Sequence, residues 1–591
     1  MEGEYEMSFQ VTKEELVYLY NNNQYEEVNK LANVHLRNFP IDNEVLSYKV
    51  TALHILGRLK EAINDLNFLI EKEPQNPFVY YLRGNFHSLE NDWEAAIKDY
   101  SEAIRIVPKF KDAFKQRGNE YYTIGNLDAA ILDWSSAIQL DPGDDEAYNN
   151  RGNCYYFQGN LDAALSDCNK AIQLNSKSTH AHNNRANVFT SKGNLDDAIL
   201  DCNEAIHLDP KFSIAYVTRG IAYHTKGDLD KAIHDFNEAI RLDPKNAFAY
   251  YNRAYAYHFI GDLDTSIRDN SEAIRLNLKN PDVYYNRGND YYFKGDMNAA
   301  IRDFDEAISL NPKFSSAFNN RGKVFYDKGD LDTAIRDYNE AIFLEPKYSV
   351  AYFNRGTAYK DKGDLDAANR DYTEAIRLDP KSALAYFERG AVHFKREEYD
   401  DAFQDYNEAI RLDPKNPNCY INRGISFTVK GDFNYAILDF NEAINLNRES
   451  VLAYYSRGNA YIAIGDLDAA ILDHSEAIRL NPMYVDSYNA RGIAFREKGD
   501  LDAAIQDFKK ALRLDPNNKV ALEKEKSILE KYPDKKVFFQ RSNLHTQTNQ
   551  QPQTNDDIYS QLEKLKKLLD IEAITPQDYE EKKKILLNKI N

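Results

Sequence analysis

RGIAYHTKGDLDKAIHDFNEAIRLDPK, residues Arg219–Lys245, reads as two short amphipathic helices joined by a turn. Just ahead of and within it, Ala215, Tyr216, Gly220 and Tyr223 fall at helical spacing on one face. Gly227 suits the left-handed conformation that ends a helix. Asp228 is placed to cap the second helix, and Asp230 sits in its first turn, where negative charge is favoured. Ala232, Phe236 and Ala239 form a second apolar stripe, and Pro244 blocks continuation. Gly220 and Ala232 are small, so the two helices can approach closely. Two residues depart from this scheme. Arg219 stands where a packed helix pair wants an aliphatic side chain, and Asp235, sixteen residues on, is its opposite charge.

The same stretch recurs along the chain. An Arg followed by Gly or Ala occurs at Arg83 and then every 34 residues to Arg491, without an insertion. With units starting at 43, 77, 111 and onward to 485, position 4 of a unit is Tyr or Phe in nearly all, His182 being an exception. Positions 8 and 20 are small, and position 27 is Ala. A weaker unit starts at Phe9, with Tyr25, Val28 and Pro40 on pattern. Ser176 and Arg448 replace the proline, and Glu397 replaces the turn glycine, so looser local geometry is expected there.

A 34-residue helix–turn–helix unit with aromatic, small and proline residues at these positions resembles the tetratricopeptide repeat. The resemblance implies an all-α fold: a right-handed superhelical solenoid of about fifteen helix pairs, followed here by a small C-terminal helical hairpin. It also implies a non-catalytic protein-interaction scaffold. The family usually carries Leu at position 7. This chain has Arg in thirteen units and Lys49 in one, and Asp at position 23 in the same fourteen, from Asp65 to Asp507. A partly buried ion pair between helices is expected, its use being register rather than stability. In the first unit both members change together, to Glu15 and Leu31, and after the last unit position 7 is Glu525. Pairing within a unit leaves no mismatch, which selects Arg219 with Asp235, Arg253 with Asp269 and Arg287 with Asp303.

The formal net charge of −20 lies almost wholly in the repeats and argues against a nucleic-acid ligand. Cys154, Cys168, Cys202 and Cys419 make no disulfide framework in so long a chain. Cys168 and Cys202, at position 24, read as core fillers. There is no apolar run long enough for membrane insertion and no secretory leader pattern, so a cytoplasmic protein is expected. No phosphate loop, CxxC, HExxH or GxSxG occurs. His180 and His182 point to opposite sides of a helix, and His224 and His258 stand one repeat apart, too far to share a metal. Neither an enzyme nor a cofactor is expected.

The ends of a stack must be atypical, because its terminal faces are open. The expected organisation is an N-terminal lead (1–8), fifteen repeats (9–518), a capping helix (519–531) with Ala521 and Leu522 on its buried side, a flexible linker (532–555) and a helical hairpin (556–591). The hairpin resembles the SHOCT domain, a short C-terminal domain. Ile574, Thr575, Tyr579, Lys583 and Leu586-Leu587 match its pattern, whereas Glu572-Ala573 stands where that family has a glycine. The resemblance implies docking or homo-oligomerisation.

Positions 2, 5, 6, 9, 12 and 13 lie off the core stripe of the first helix. In the tetratricopeptide family these line the concave groove. Position 6 carries Asn150, Asn184, Asn252, Asn286, Asn320, Asn354 and Asn422, and position 9 carries Asn119, Asn153, Asn187 and Asn289 among others. A carboxamide both donates and accepts, so it can satisfy the backbone of an extended peptide. The row is similar to the asparagine ladder of O-GlcNAc transferases; the alternative is that these amides bond to neighbouring helices. Tyr251, Tyr285 and Tyr292 add adhesive area. Lys115, Asn119 and Asn150 also match part of the carboxylate clamp of chaperone-tail binders, but His180 and Asn184 stand where that clamp has cations. The expected partners are proteins presenting extended segments. A structural subunit using its outer surface is the alternative.

Overall fold

A computed structural model describes residues 13–39 and 42–532. The lead, the linker beyond Tyr532 and the SHOCT-like hairpin lie outside the described residues. Every regular element among those described is a helix. The chain falls into two compact units, Met1–Val324 and Phe325–Asn591. Each is a stack of helix–turn–helix pairs in which a helix packs on its own partner and on the next pair.

The repeat at 213 shows how the sequence makes the pair. Its helices span Ser213–Lys226 and Leu229–Leu242. Between them Gly227 takes φ +89°, and Asp228 N–H returns to the Tyr223 carbonyl at 2.9 Å. Asp228 then caps the second helix by accepting from Lys231 N–H at 3.3 Å. Gly220 is needed for close approach: a Cβ there would lie 2.6 Å from the Phe236 ring. Where position 24 is Cys202 or Asn270, position 8 is Ala186 or Ala254 instead, although Cys168 still faces Gly152. In the first two pairs the volumes are complementary. Cys168 and Cys202 are fully buried, and burial pushes the Cys168 thiol up to about 12, so these sulfurs serve as core atoms.

The turn at Glu397 keeps the repeat geometry without glycine. Glu397 sits at φ +63°, and Glu398 N–H still reaches the His393 carbonyl at 2.9 Å. The turn stays closed, with the substitution absorbed as backbone strain of about 1 kcal/mol.

Each position-7 arginine is a three-way clip. Arg219 Nε and Nη2 both grip Asp235, at 2.7 Å each, and Nη1 reaches back to Asn203 Oδ1 of the preceding repeat at 2.6 Å. The Tyr216 ring lies over the guanidinium at 5.5 Å. Arg253 repeats the arrangement with Asp269 and Asn237, and Arg287 with Asp303 and Ser271. The aspartates are buried, and the arginine side chains are about one-fifth exposed, 17% for Arg219. The backward arm was not anticipated from the sequence. Its acceptor, position 25, varies among Asn, Ser, Thr and Asp, alike only in a short side-chain oxygen.

The capping helix spans Lys519–Lys531, with Asn518 accepting from Ala521 N–H at 3.0 Å. Ala521 and Ile528 are buried, whereas Leu522 is 48% exposed, which corrects its expected inward placement. Ala521 and Ile528, seven residues apart, share a face. Leu522 is turned about 100° from it. At this end the charges change places: position 25 is Lys509 and position 7 is Glu525, whose pKa burial raises against the pull of the Lys509 charge.

Replacing Asp235 with Ala strands a desolvated guanidinium, with an expected cost of about 3–5 kcal/mol. Changing Arg219→Met and Asp235→Leu together should cost much less. Hydrogen exchange of residues 213–246 measures both. His474, fully buried at position 24, meets no hydrogen-bonding partner among the described residues. Burial, helped by the Arg491 charge, lowers its pKa from 6.5 to about 4. As pH falls below 6.5 the unfolded form takes up a proton that the folded form refuses until about 4. Stability should therefore drop across that window by about 2–3 kcal/mol, and His474→Phe should flatten the drop in pH-resolved denaturation.

Candidate protein-binding face

First helices of neighbouring repeats touch one another, bringing positions 5, 6, 9, 12 and 13 of successive repeats onto a common face. Hydrogen bonds cross it directly. In the first unit Asn153 Nδ2 donates to Tyr122 Oη at 3.1 Å, and Asn184 Nδ2 to Asn149 Oδ1 at 2.9 Å. Asn320 Nδ2 donates to Tyr285 Oη at 2.9 Å and to Asn289 Oδ1 at 2.8 Å, while its own oxygen accepts from Asn319 at 3.0 Å.

The remaining asparagines are placed as follows. Asn119 donates to Gln116 at 3.3 Å, Asn150 accepts from Asn149 at 3.1 Å, and Asn252 donates to the Phe248 carbonyl of its own helix at 2.7 Å. Asn187 and Asn286 lie half-buried on the same face. In the second unit Asn354 and Asn422 are half-buried. Many of these amides are therefore held by neighbours. The row is an oriented lattice of half-exposed carboxamides rather than a set of independent side chains.

Lys115 is bound to Asp144 at 3.0 Å and Glu146 at 2.6 Å, and His180 rests against the Phe212 ring at 4.9 Å. A carboxylate clamp built on Lys115 would have to break two ion pairs, so this stretch offers no ready cation.

Sequence reasoning passed over the most exposed apolar residues of the face. Phe157, Phe259 and Phe293, all at position 13, are 57%, 58% and 65% exposed. Phe259 packs on Tyr255 at 5.0 Å and on His224 at 5.3 Å. Phe293 packs on His258 at 5.9 Å and on Tyr292 at 5.7 Å, and Lys323 lies over Tyr292 at 5.2 Å. The signal was available: a large apolar residue at a position pointing away from the core, where other repeats carry Asp327, Asp361 or Glu497.

Beneath this aromatic chain lies a buried polar cluster. Asp290, wholly buried, accepts from Ser266 Oγ at 2.6 Å and meets His258 Nδ1 at 2.5 Å. Burial raises the Asp290 pKa, against the opposing pull of those two partners. The contact fixes the His258 ring beside Phe259 and Phe293.

A stack of like helix pairs with a polar and aromatic first-helix face defines a helical-repeat, protein-interaction class. Tetratricopeptide-repeat profiles match residues 145–178, 180–212, 281–314 and 485–518, residues 118–159, 222–261, 322–363 and 458–495, and residues 353–417. Together they cover more than half of the chain, which belongs to the tetratricopeptide-repeat family. No curated protein matches it. Among solved structures, the APC/C hetero-tetramer Cut9–Hcn1 aligns at TM-score 0.42 and 16% identity, covering 83% of this chain and 96% of that one. YrrB, a repeat protein described as having an unusual peptide-binding site, aligns at TM-score 0.29 and 23% identity, over 32% of this chain and 97% of that one. A repeat protein from Parabacteroides merdae aligns at TM-score 0.34 and 22% identity, over 42% and 98%. No helix among the described residues is long and apolar enough to cross a membrane.

Proposed function

We propose that this chain is a non-catalytic scaffold whose first-helix face holds extended segments of partner proteins, with residues 556–591 serving docking or self-association. The observation that carries the reading is the run from Tyr255 through Phe259 to Phe293. Large rings there stand more than one-third exposed, and the amides of Asn252, in the first of these repeats, and Asn320, in the repeat after the second, are already oriented by their neighbours. Exposed aromatics supply the desolvation energy of binding, and half-exposed carboxamides can satisfy the backbone of a peptide in any sequence. The acidic charge favours neutral or basic segments.

A second reading is an assembly subunit that uses its second helices. It is favoured by Leu132, Leu200, Leu438 and Leu472, which are 68%, 65%, 62% and 71% exposed at the same repeat position. The two readings separate by mutation. Phe259→Ala with Phe293→Ala should weaken capture of arrayed peptides by about thirtyfold, as expected for an anchor worth ~2 kcal/mol. Asn252→Ala with Asn286→Ala should lower affinity across unrelated sequences alike. Leu132→Lys with Leu200→Lys should leave peptide capture unchanged. If the last pair abolishes partner binding while the first pairs do nothing, the outer-surface reading replaces the groove.

A further inference from the structure

Positions 11, 16 and 19 of a repeat meet where the two helices join. In the repeat at 213 these are Tyr223, Asp228 and Lys231, with the Lys231 ammonium 2.6 Å from Asp228 and 5.3 Å from the Tyr223 ring centre. In the repeat at 383 the same three places hold His393, Glu398 and Asp401. No other repeat carries potential metal ligands at all three. Their ligand atoms, one from each, lie within 4.8 Å of one another. We propose that this junction binds a divalent transition-metal ion, zinc by its donor set, through His393 Nδ1 and one carboxylate oxygen each of Glu398 and Asp401.

The local structure is turned to that end at several atoms. In the repeat at 213 the position-16 carboxylate caps the second helix. Glu398 makes no such cap bond. Instead one oxygen is hydrogen-bonded to His393 Nδ1 at 2.6 Å and the other holds Arg396 Nη2 at 3.1 Å. A bound ion would take the place of the first contact, while the second steadies the carboxylate from outside. The other imidazole nitrogen, Nε2, lies 3.8 Å from Asp405 Oδ2, a buried carboxylate. That distance is beyond hydrogen bonding, and Arg389 Nε already donates to the same oxygen at 2.8 Å, so Asp405 acts on the ring only through its charge. His393 is largely buried, its side chain 13% exposed, so its ring is held in place. Asp401 is exposed and can swing the short distance needed to bring all three donors about 2.0–2.2 Å from one ion. One nitrogen and two oxygens suit zinc over the harder calcium and magnesium, which take all-oxygen shells. Three protein ligands leave a fourth position for water or for a side chain of a partner. The departures from the repeat consensus in this one turn, His for an aromatic, Glu for the capping Asp and Glu397 for glycine, thus converge on one place.

The test uses the full chain and metal alone. In equilibrium dialysis against zinc, the wild type should take up a single ion per chain that His393→Tyr or Asp401→Ala weakens by at least about tenfold. Both replacements restore residues that other repeats carry at those positions, Tyr359 and Ala367 for example, so the fold should survive them. Metal-free helicity and melting, read by circular dichroism, should be unchanged in both. Cobalt substitution should give visible absorption bands that are lost in the same variants. Zinc uptake equal in wild type and variants, or none by the wild type in large molar excess, would overturn the assignment. Neither result touches the peptide-binding reading, which rests on other residues.

Discussion

A guanidinium has three directions in which to donate, and twelve repeats of this chain use all of them. Two close a fork on the aspartate of the same helix pair, and the third reaches the pair before. Arg219 therefore reports at once on the geometry within its repeat and on the step between repeats, through Asp235 and Asn203. An insertion in the intervening second helix or turn would shift one partner and leave a partly buried charge unsatisfied. The unbroken 34-residue spacing is the sequence trace of that constraint. A leucine at the same place would pack as well but would tolerate slippage. The aromatic ring above the guanidinium, Tyr216 here, adds a cation–π contact and screens the pair from water.

The clip also explains how the array ends. The terminal helix cannot receive another arginine without a matching acceptor, and it does not. Position 25 becomes Lys509 and the next position 7 becomes Glu525, so the cation and the acceptor change places. A further repeat of the ordinary kind, added after this helix, would find no forked pair on its incoming face.

How much of this was legible beforehand depends on the range of the interaction. Helix bounds, the turn at Gly227 and the Asp228 cap follow from local chemistry, and periodicity alone located them. The fork of Arg219 on Asp235 followed because both members change together at the chain ends. Its third arm did not, because Asn, Ser, Thr and Asp at position 25 look unrelated until their oxygens are seen in one place. The asparagine row was readable as a row. Whether an amide faces a ligand or a neighbour depends on side-chain rotation, which no spacing encodes, and Asn320 is tied to Tyr285 and Asn289. Leu522 was misplaced by one residue of helical phase. Phe259 and Phe293 were not legible because a lone apolar residue at a solvent-facing position is ordinary until its neighbours are seen beside it.

The lapses in the core are as informative as its regularity. In the repeat at 247 the aromatic of position 24 is Asn270, wholly buried with an amide that meets no partner among the described residues, and position 20 is Ser266 rather than alanine. In the following repeat position 10, usually a small or apolar residue, is the buried Asp290. A buried polar group is tolerated when satisfied, as Ser266 and Asp290 are by each other and by His258; Asn270 is not, and costs stability. These departures sit in the repeats that also carry Tyr255, His258, Phe259 and Phe293, and Asp290 is bonded to His258 itself. His474 is an equally unsatisfied core residue in the repeat at 451, so such lapses are not unique to these repeats, but here they coincide with large exposed rings. Consistency between local pattern and fold is what a scaffold needs, and departures from it collect where a surface has a second task. Core departures and exposed rings coincide in this stretch, which makes it the place where the proposed binding reading is tested most directly.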